Sequence, residues 1–311
     1  MDTSTDAAKK TAKPLPDKPV SDCSGILWLA SYPKSGNTWT RNFLHNLLNI
    51  VEGKGDEQDI NKMTEFTFWE IAARPYERIL EKKITDCTRQ EVAQTRAKVQ
   101  ELIANTTDGL AMIKTHHCLV IDRGHPTINT AVTAGAVYIV RNPLDVAISL
   151  ASHISGTIDE AIDMMATRGL ETAMTDGSVY EVYGSWSQHV KSWTLKPHRA
   201  IYVMRYEDML ENPMQIFGKL VRHMQLNPTE AQLRLAIERS SFEKLKKQEE
   251  EKGGFKEKPE KAERFFRSGK SGEWRGKLSR RQVREIVATH HKQMSRFGYL
   301  TDELKHLVPE T

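Results

Sequence analysis

Three features of the 311-residue sequence predict an α/β fold, a single domain with a central parallel sheet flanked by helices. Four short apolar runs, Ile26 to Ala30, Leu110 to Ile113, Ala136 to Val140 and Ala200 to Met204, are continuous rather than alternating, as strands buried on both faces are. The stretches between them are long enough for crossover helices. Polar residues follow each run directly, and an open parallel sheet binds its ligand beyond the carboxyl ends of its strands.

The elements follow in order. After the first run comes Ser31-Tyr-Pro-Lys-Ser-Gly-Asn-Thr-Trp39, and then Trp39, Phe43, Leu44, Leu47 and Leu48 recur at helical spacing: strand, loop, amphipathic helix. Residues 51–109 read as helical and mixed. The second run ends in Lys114-Thr-His-His117, the third in Arg141-Asn-Pro-Leu-Asp-Val-Ala-Ile-Ser149, and the fourth in Arg205-Tyr-Glu-Asp208. Residues 150–195 read as helical, and Pro228 to Leu245 as a helix pair. The 246–264 segment carries seven basic and six acidic residues around Gly253-Gly254, a composition that resists packing, so a mobile loop is expected there. Residues 1–20 are expected to be a disordered tail, and residues 21–311 to form the domain.

Composition narrows the function. The 39% apolar content supports a sizeable core, and no apolar stretch approaches the ~20 residues of a transmembrane helix. A net charge of +4, spread without a basic block, gives no reason for a nucleic-acid partner and favours a small anion. Cys23, Cys87 and Cys118 are odd in number and widely spaced, which argues against a disulfide framework or a zinc site. A cytoplasmic, metal-independent protein is expected.

A strand, a Gly-containing loop and a helix start form an anion site, because unpaired N–H groups and the helix dipole both favour phosphate. Lys34, Ser35, Gly36, Asn37 and Thr38 fit that description without being Walker A, since Lys34 precedes the single Gly36. The loop alone is equally an ordinary strand-to-helix turn. With its neighbours, over positions 26–276, it resembles the PAPS-dependent sulfotransferases, which transfer sulfuryl from 3'-phosphoadenosine-5'-phosphosulfate to a hydroxyl or amine. Ser31 to Trp39 is similar to T-Y-P-K-[SA]-G-T-T-W, Lys114-Thr115-His116 to K-T-H, and Arg141 to Ser149 to R-[DN]-P-x-D-x-x-x-S. Phe265, Arg267, Gly269, Gly272 and Trp274 fit F-x-R-x-G-x-x-G-x-W.

The resemblance implies a P-loop-like, nucleotide-binding sulfotransferase fold and assigns roles. Residues 34–38 would cradle the 5'-phosphosulfate and Trp39 would stack the adenine. Arg141, Ser149, Arg267, Ser268 and Gly269 would hold the 3'-phosphate, with Tyr206, Ser241 and Phe242 also at nucleotide-binding positions. His116 would be the general base, and Lys34 and Lys114 would stabilise charge on the bridging and sulfuryl oxygens. A bidentate guanidinium suits a phosphate, and a neutral imidazole can take a proton near pH 7. An extended backbone sends His116 and His117 to opposite faces, so one of them faces the site.

The sequence also departs from the family wording. Asn37 replaces Thr, and Ser268 replaces a common Lys. His117-Cys118 replaces Leu-Pro, so acceptor specificity does not transfer from the animal cytosolic enzymes, and no K-x-x-x-T-V-x-x-x-E dimer motif follows Trp274. The expected partner is a small-molecule acceptor, with the oligomeric state undetermined. The competing reading is a P-loop nucleotide or small-molecule kinase, disfavoured because no Ser/Thr follows a Walker lysine to hold magnesium.

Overall fold

A computed structural model describes residues 24–55, 58–107, 109–258 and 264–309; the expected N-terminal tail lies outside them. β1 (Gly25–Ser31) leads through the Lys34 loop into α1 (Asn37–Val51). Then come α2 (Met63–Phe66), the short strand β2 (Phe68–Trp69), α3 (Ala73–Leu80), α4 (Arg89–Thr106) and β3 (Leu110–Thr115). A small hairpin of β4 (Ile121–Asp122) and β5 (His125–Pro126) precedes β6 (Thr133–Val140), α5 (Pro143–Ile154), α6 (Ile158–Ala166) and α7 (Trp186–Thr194). β7 (Ile201–Arg205), α8 (Tyr206–Glu211), α9 (Pro213–His223), α10 (Glu230–Arg239) and α11 (Phe242–Glu251) follow. α12 (Trp274–Lys277), α13 (Arg280–Arg296) and α14 (Asp302–Lys305) complete the order.

The sheet has the order β2-β3-β1-β6-β7 with every pairing parallel, so the four expected strands are its four long ones. β1 is central and entirely buried, and its side chains divide between two cores. Leu27 and Leu29 pack with Phe43, Leu44, Leu47 and Phe217 from α1 and α9. Ile26, Trp28 and Ala30 pack with side chains of α5, α7 and α13 on the other face. Continuous burial is thus the reason the strand sequences do not alternate.

Helix starts are locally encoded. Thr88, Thr157, Ser185, Thr229 and Ser279 each close a capping box with a Glu or Gln three residues on. α5 starts with Asn142 accepting the Leu144 N–H and Pro143 in the first turn.

One expectation changes. Residues 150–195 are helical only to Ala166 and again from Trp186, because the chain between turns repeatedly, with Gly169 and Gly184 at positive φ. The charged 246–264 segment begins as the last turns of α11, running to Glu251, and its described part packs against the site. Glu249 accepts the N–H groups of Phe265 and Phe266 at 2.7 and 2.9 Å, and Phe255 joins Leu245 and Phe266 in a buried cluster. Residues 259–263 lie outside the described part.

Candidate active site

A cavity of about 310 Å³ opens at the carboxyl ends of β1, β3, β6 and β7. Lys34, Gly36, Asn37, Thr38, Trp39, Lys114, His116, Arg141, Ser149, Tyr206, Phe242, Arg267, Ser268 and Gly269 all line it. Two residues named from the sequence do not. Ser35 is fully buried beneath the loop, with its hydroxyl unpartnered. Ser241 caps α11 by accepting the Lys244 N–H.

The Lys34 loop is shaped by backbone and by packing. Lys34 itself has φ 67°, and Gly36, at φ 106°, is the N-cap of α1. A Cβ on Gly36 would lie 2.8 Å from the Tyr206 ring, so glycine is required both by conformation and by contact. The first turn of α1 has neither a side-chain cap nor an acidic residue, which leaves its N–H groups without a protein side chain to satisfy them. The Asn37 side chain turns away from the cavity, donating to the Leu29 carbonyl at 2.7 Å, so only its backbone serves the helix start.

His116 and His117 divide as the extended chain requires. The His116 Nδ1–H donates to the Ser31 carbonyl at 2.7 Å; since a carbonyl only accepts, the lone pair sits on Nε2. Burial, reinforced by the charge of Lys114, holds this imidazole well below its usual range, so it is neutral at pH 7. His117 is fully buried behind it. Its Nδ1 accepts the Val182 N–H at 2.9 Å, and Nε2 faces Glu70 at 3.8 Å.

Cations gather around the same space. Burial, then the charges of Lys114, Arg141 and Arg267, bring Lys34 down to about 7. Its Nζ lies 3.5 Å from His153 Nδ1 and 4.1 Å above the Phe265 ring. Lys114, pushed down by burial, stands 5.0 Å above the Trp69 ring. Arg141 donates to the carbonyls of Lys34 and Lys270 at 3.0 and 3.1 Å and stacks 4.2 Å over Tyr206, while its buried Nε is unpartnered. Arg267 pairs with Glu273 at 2.8 Å, and Ser268 donates to the same carboxylate.

Several positioning residues escaped the sequence reading. Asp145 of α5 accepts the N–H groups of Gly272 and Trp274 at 2.7 and 3.1 Å, tying the 267–274 loop to the start of that helix. Its place inside the Arg141 to Ser149 motif was the available signal. Glu207, next to Tyr206, accepts the Asn142 N–H at 3.0 Å and the Tyr299 hydroxyl at 2.8 Å. His153 lines the cavity one turn after Ser149. Trp69, Ile71, Glu181, Tyr183 and Glu257 come from segments without a motif, and Phe266 fills an unspecified position of the Phe265 to Trp274 motif. Trp69 and Tyr183 are thus pocket wall, whereas Tyr76, Tyr180 and Trp186 are core.

Arg141 Nε and Trp39 Nε1, both from residues that line the cavity, are buried polar atoms without a partner near the uncapped start of α1. Unpaired buried donors are costly, and these suit a polyanionic, aromatic ligand such as a phosphorylated nucleotide. Among the described residues no group of three or more His, Cys, Asp or Glu is placed to hold a metal, and no helix is long and apolar enough to cross a membrane.

Comparison with known proteins agrees with this geometry. The chain is 26% identical over 273 residues to sulfotransferase 1B1 of Canis lupus familiaris, covering 86% of this chain and 82% of that protein. It is 22% identical over 297 residues to luciferin sulfotransferase of Photinus pyralis, covering 91% and 75%. Among solved structures, mouse sulfotransferase SULT7A1 complexed with PAP superposes with a TM-score of 0.61 at 18% identity, covering 92% of this chain and 90% of that one. Retinol dehydratase in a complex with retinol and PAP gives 0.60 at 20%, covering 93% and 83%. Residues 25–298, from the first strand to the end of the last long helix, match the sulfotransferase domain family, and the chain belongs to it as an enzyme that transfers sulfo groups.

Proposed function

We propose that this enzyme moves the sulfuryl group of PAPS onto a hydroxyl, or an amine, of a small-molecule acceptor, with His116 as general base. One observation carries the reading: a single cavity holds the His116 imidazole, its proton locked on Nδ1 by Ser31, beside the ammonium groups of Lys34 and Lys114. PAPS, when bound, supplies the activated sulfuryl group. PAP in solved structures of the same fold, a mouse sulfotransferase and retinol dehydratase, supports it as the donor.

The chain's own residues divide the work. His116 Nε2 takes the acceptor proton, and Lys34 and Lys114 offset negative charge on the transferring and leaving groups. Arg141, Ser149, Arg267, Ser268 and Gly269 surround the 3'-phosphate, the phosphate bonding competitively with Glu273 for Arg267. Trp39, Tyr206 and Phe242 contact the base, Ser35 holds the loop from below, and Ser241 acts through the Phe242 helix it caps. The acceptor lies against Trp69, Tyr183 and Phe265, which line the cavity; complexes of retinol dehydratase with retinol and with androsterone support a small apolar acceptor. We place the enzyme in the cytoplasm, where reduced thiols match the free, buried Cys87 and Cys118. We also propose that residues 21–311 act as one domain, with a mobile loop at about 246–264.

Isothermal titration in EDTA with PAP, AMP and ATP tests the donor. Tight binding of PAP, dependent on the 3'-phosphate and lost in Arg141→Ala, is expected. Preference for ATP, or a need for magnesium, overturns the assignment in favour of a kinase.

A further inference from the structure

Glu257 lies beyond α11 in the charged segment that carries no motif, yet its side chain is 5% exposed and lines the active cavity. Arg41 of α1, with a fully buried side chain, grips it with two parallel bonds of 2.9 and 2.7 Å. The Arg41 Nε in turn donates to Thr67 at 2.8 Å. The Glu257 Oε2 lies 3.7 Å from the Lys114 ammonium, which also stands 5.0 Å from the centre of the Trp69 ring. Nothing else described on this segment reaches so far into the site: Glu249 is spent on the backbone of Phe265 and Phe266.

We propose that Glu257 is a positioning residue for sulfuryl transfer, anchored on Arg41 and fixing the Lys114 ammonium at the reacting end of the cavity. This rests on the sulfuryl-transfer reading above. A buried guanidinium holding a bidentate carboxylate is a rigid support. A lysine, by contrast, is a flexible point charge that a low-dielectric site discharges and lets wander. Glu257 supplies what Lys114 lacks, a fixed direction and a counter-charge.

The electrostatics agree in sign. Lys114 is pushed down by burial, and then by Arg41, while Glu257 and Glu181 push it up. Lys34, itself lowered by Lys114, faces it across the cavity, as do the neutral rings of His116 and His153. Against burial, the hydrogen bond from Arg41 and the charge of Lys114 keep Glu257 below the usual carboxylate range, so it is ionised whenever Lys114 needs it. Removing the Glu257 charge therefore lowers the pH at which Lys114 loses its proton.

The test uses full-length protein with isotope-labelled lysine, the Lys114 signal being assigned through Lys114→Arg, and follows its NMR titration together with PAP and PAPS affinities. In Glu257→Gln the Lys114 titration is expected to move down by about one pH unit or more. At alkaline pH, PAPS binding should weaken about tenfold while PAP binding is unchanged, because only PAPS carries the group that Lys114 meets. Arg41→Met combined with Glu257→Met removes both charges without leaving one stranded, so it keeps the fold if the single variant does not; the Lys114 titration should again move down, by less than in the single variant because the opposing Arg41 charge is gone as well. An unmoved Lys114 titration, or equal weakening of PAP and PAPS, overturns the proposal. Failure of the wild type to bind PAP would instead overturn the donor assignment, and the Lys114 titration would still decide the role of Glu257.

Discussion

The Ser31 carbonyl decides which nitrogen of His116 carries the proton, and that single bond makes the ring a base directed by Nε2. His116→Ala should cut turnover by about 10²- to 10⁴-fold while leaving PAP binding by titration intact, because the ring serves proton transfer and not the nucleotide. Equal loss of both would mean that it holds the fold instead. Lys34 yields a prediction about pH. Its ammonium, lowered to about 7, is charged below that value and neutral above it. The kcat/KM for PAPS, which reports the free enzyme, should therefore fall as pH rises through about 7. Lys34→Arg, which cannot lose its charge, should abolish that limb, and a limb that persists would assign it elsewhere.

At the scale of elements, the site depends on how loops are tied to helices rather than on the loops alone. Asp145 binds the 267–274 loop through two backbone N–H groups, and Gly269, at φ 65°, packs so closely that a Cβ would collide with the Phe242 ring. Gly269→Ala combines positive-φ strain with overpacking, each costing about 1–3 kcal/mol. It should lower both Tm and PAP affinity, read by calorimetry. Asp145→Ala removes two charge-assisted bonds and should loosen the same loop, detected as faster proteolysis within 264–274 that PAP suppresses. Unchanged cleavage would show that the loop is held by its aromatic contacts instead.

For the whole molecule, ligand and fold are linked. PAP at a hundred times its Kd adds about 2.7 kcal/mol to stability. A rise in Tm that AMP does not match and EDTA does not alter is expected, and dependence on magnesium would contradict it. Stability also leans on the buried Arg41–Glu257 pair joining α1 to the segment beyond α11. Breaking it from one side by Arg41→Met should cost about 3–5 kcal/mol by chemical denaturation, and the double substitution should recover most of this.

Sheet and nucleotide-facing residues were legible in the sequence because each rests on local information. The strands are continuous apolar runs, Gly36 and Gly269 mark positive-φ turns, and Lys34, His116, Arg141 and Tyr206 directly follow or adjoin strand ends. A parallel sheet places such residues together whatever lies between them. What the sequence by itself determined was therefore the sheet, the cavity's position and most of its lining. The tertiary structure alone decided the tautomer of His116, the turning of Asn37 away from the ligand and the withdrawal of Ser35 and Ser241 from the cavity wall. It also decided the union of Arg41, Lys114 and Glu257, residues brought together from α1, a strand end and a loop with no motif. Their partnership depends on burial and on distances across more than two hundred residues of chain, and a charge gains its meaning there only once the fold removes the water around it.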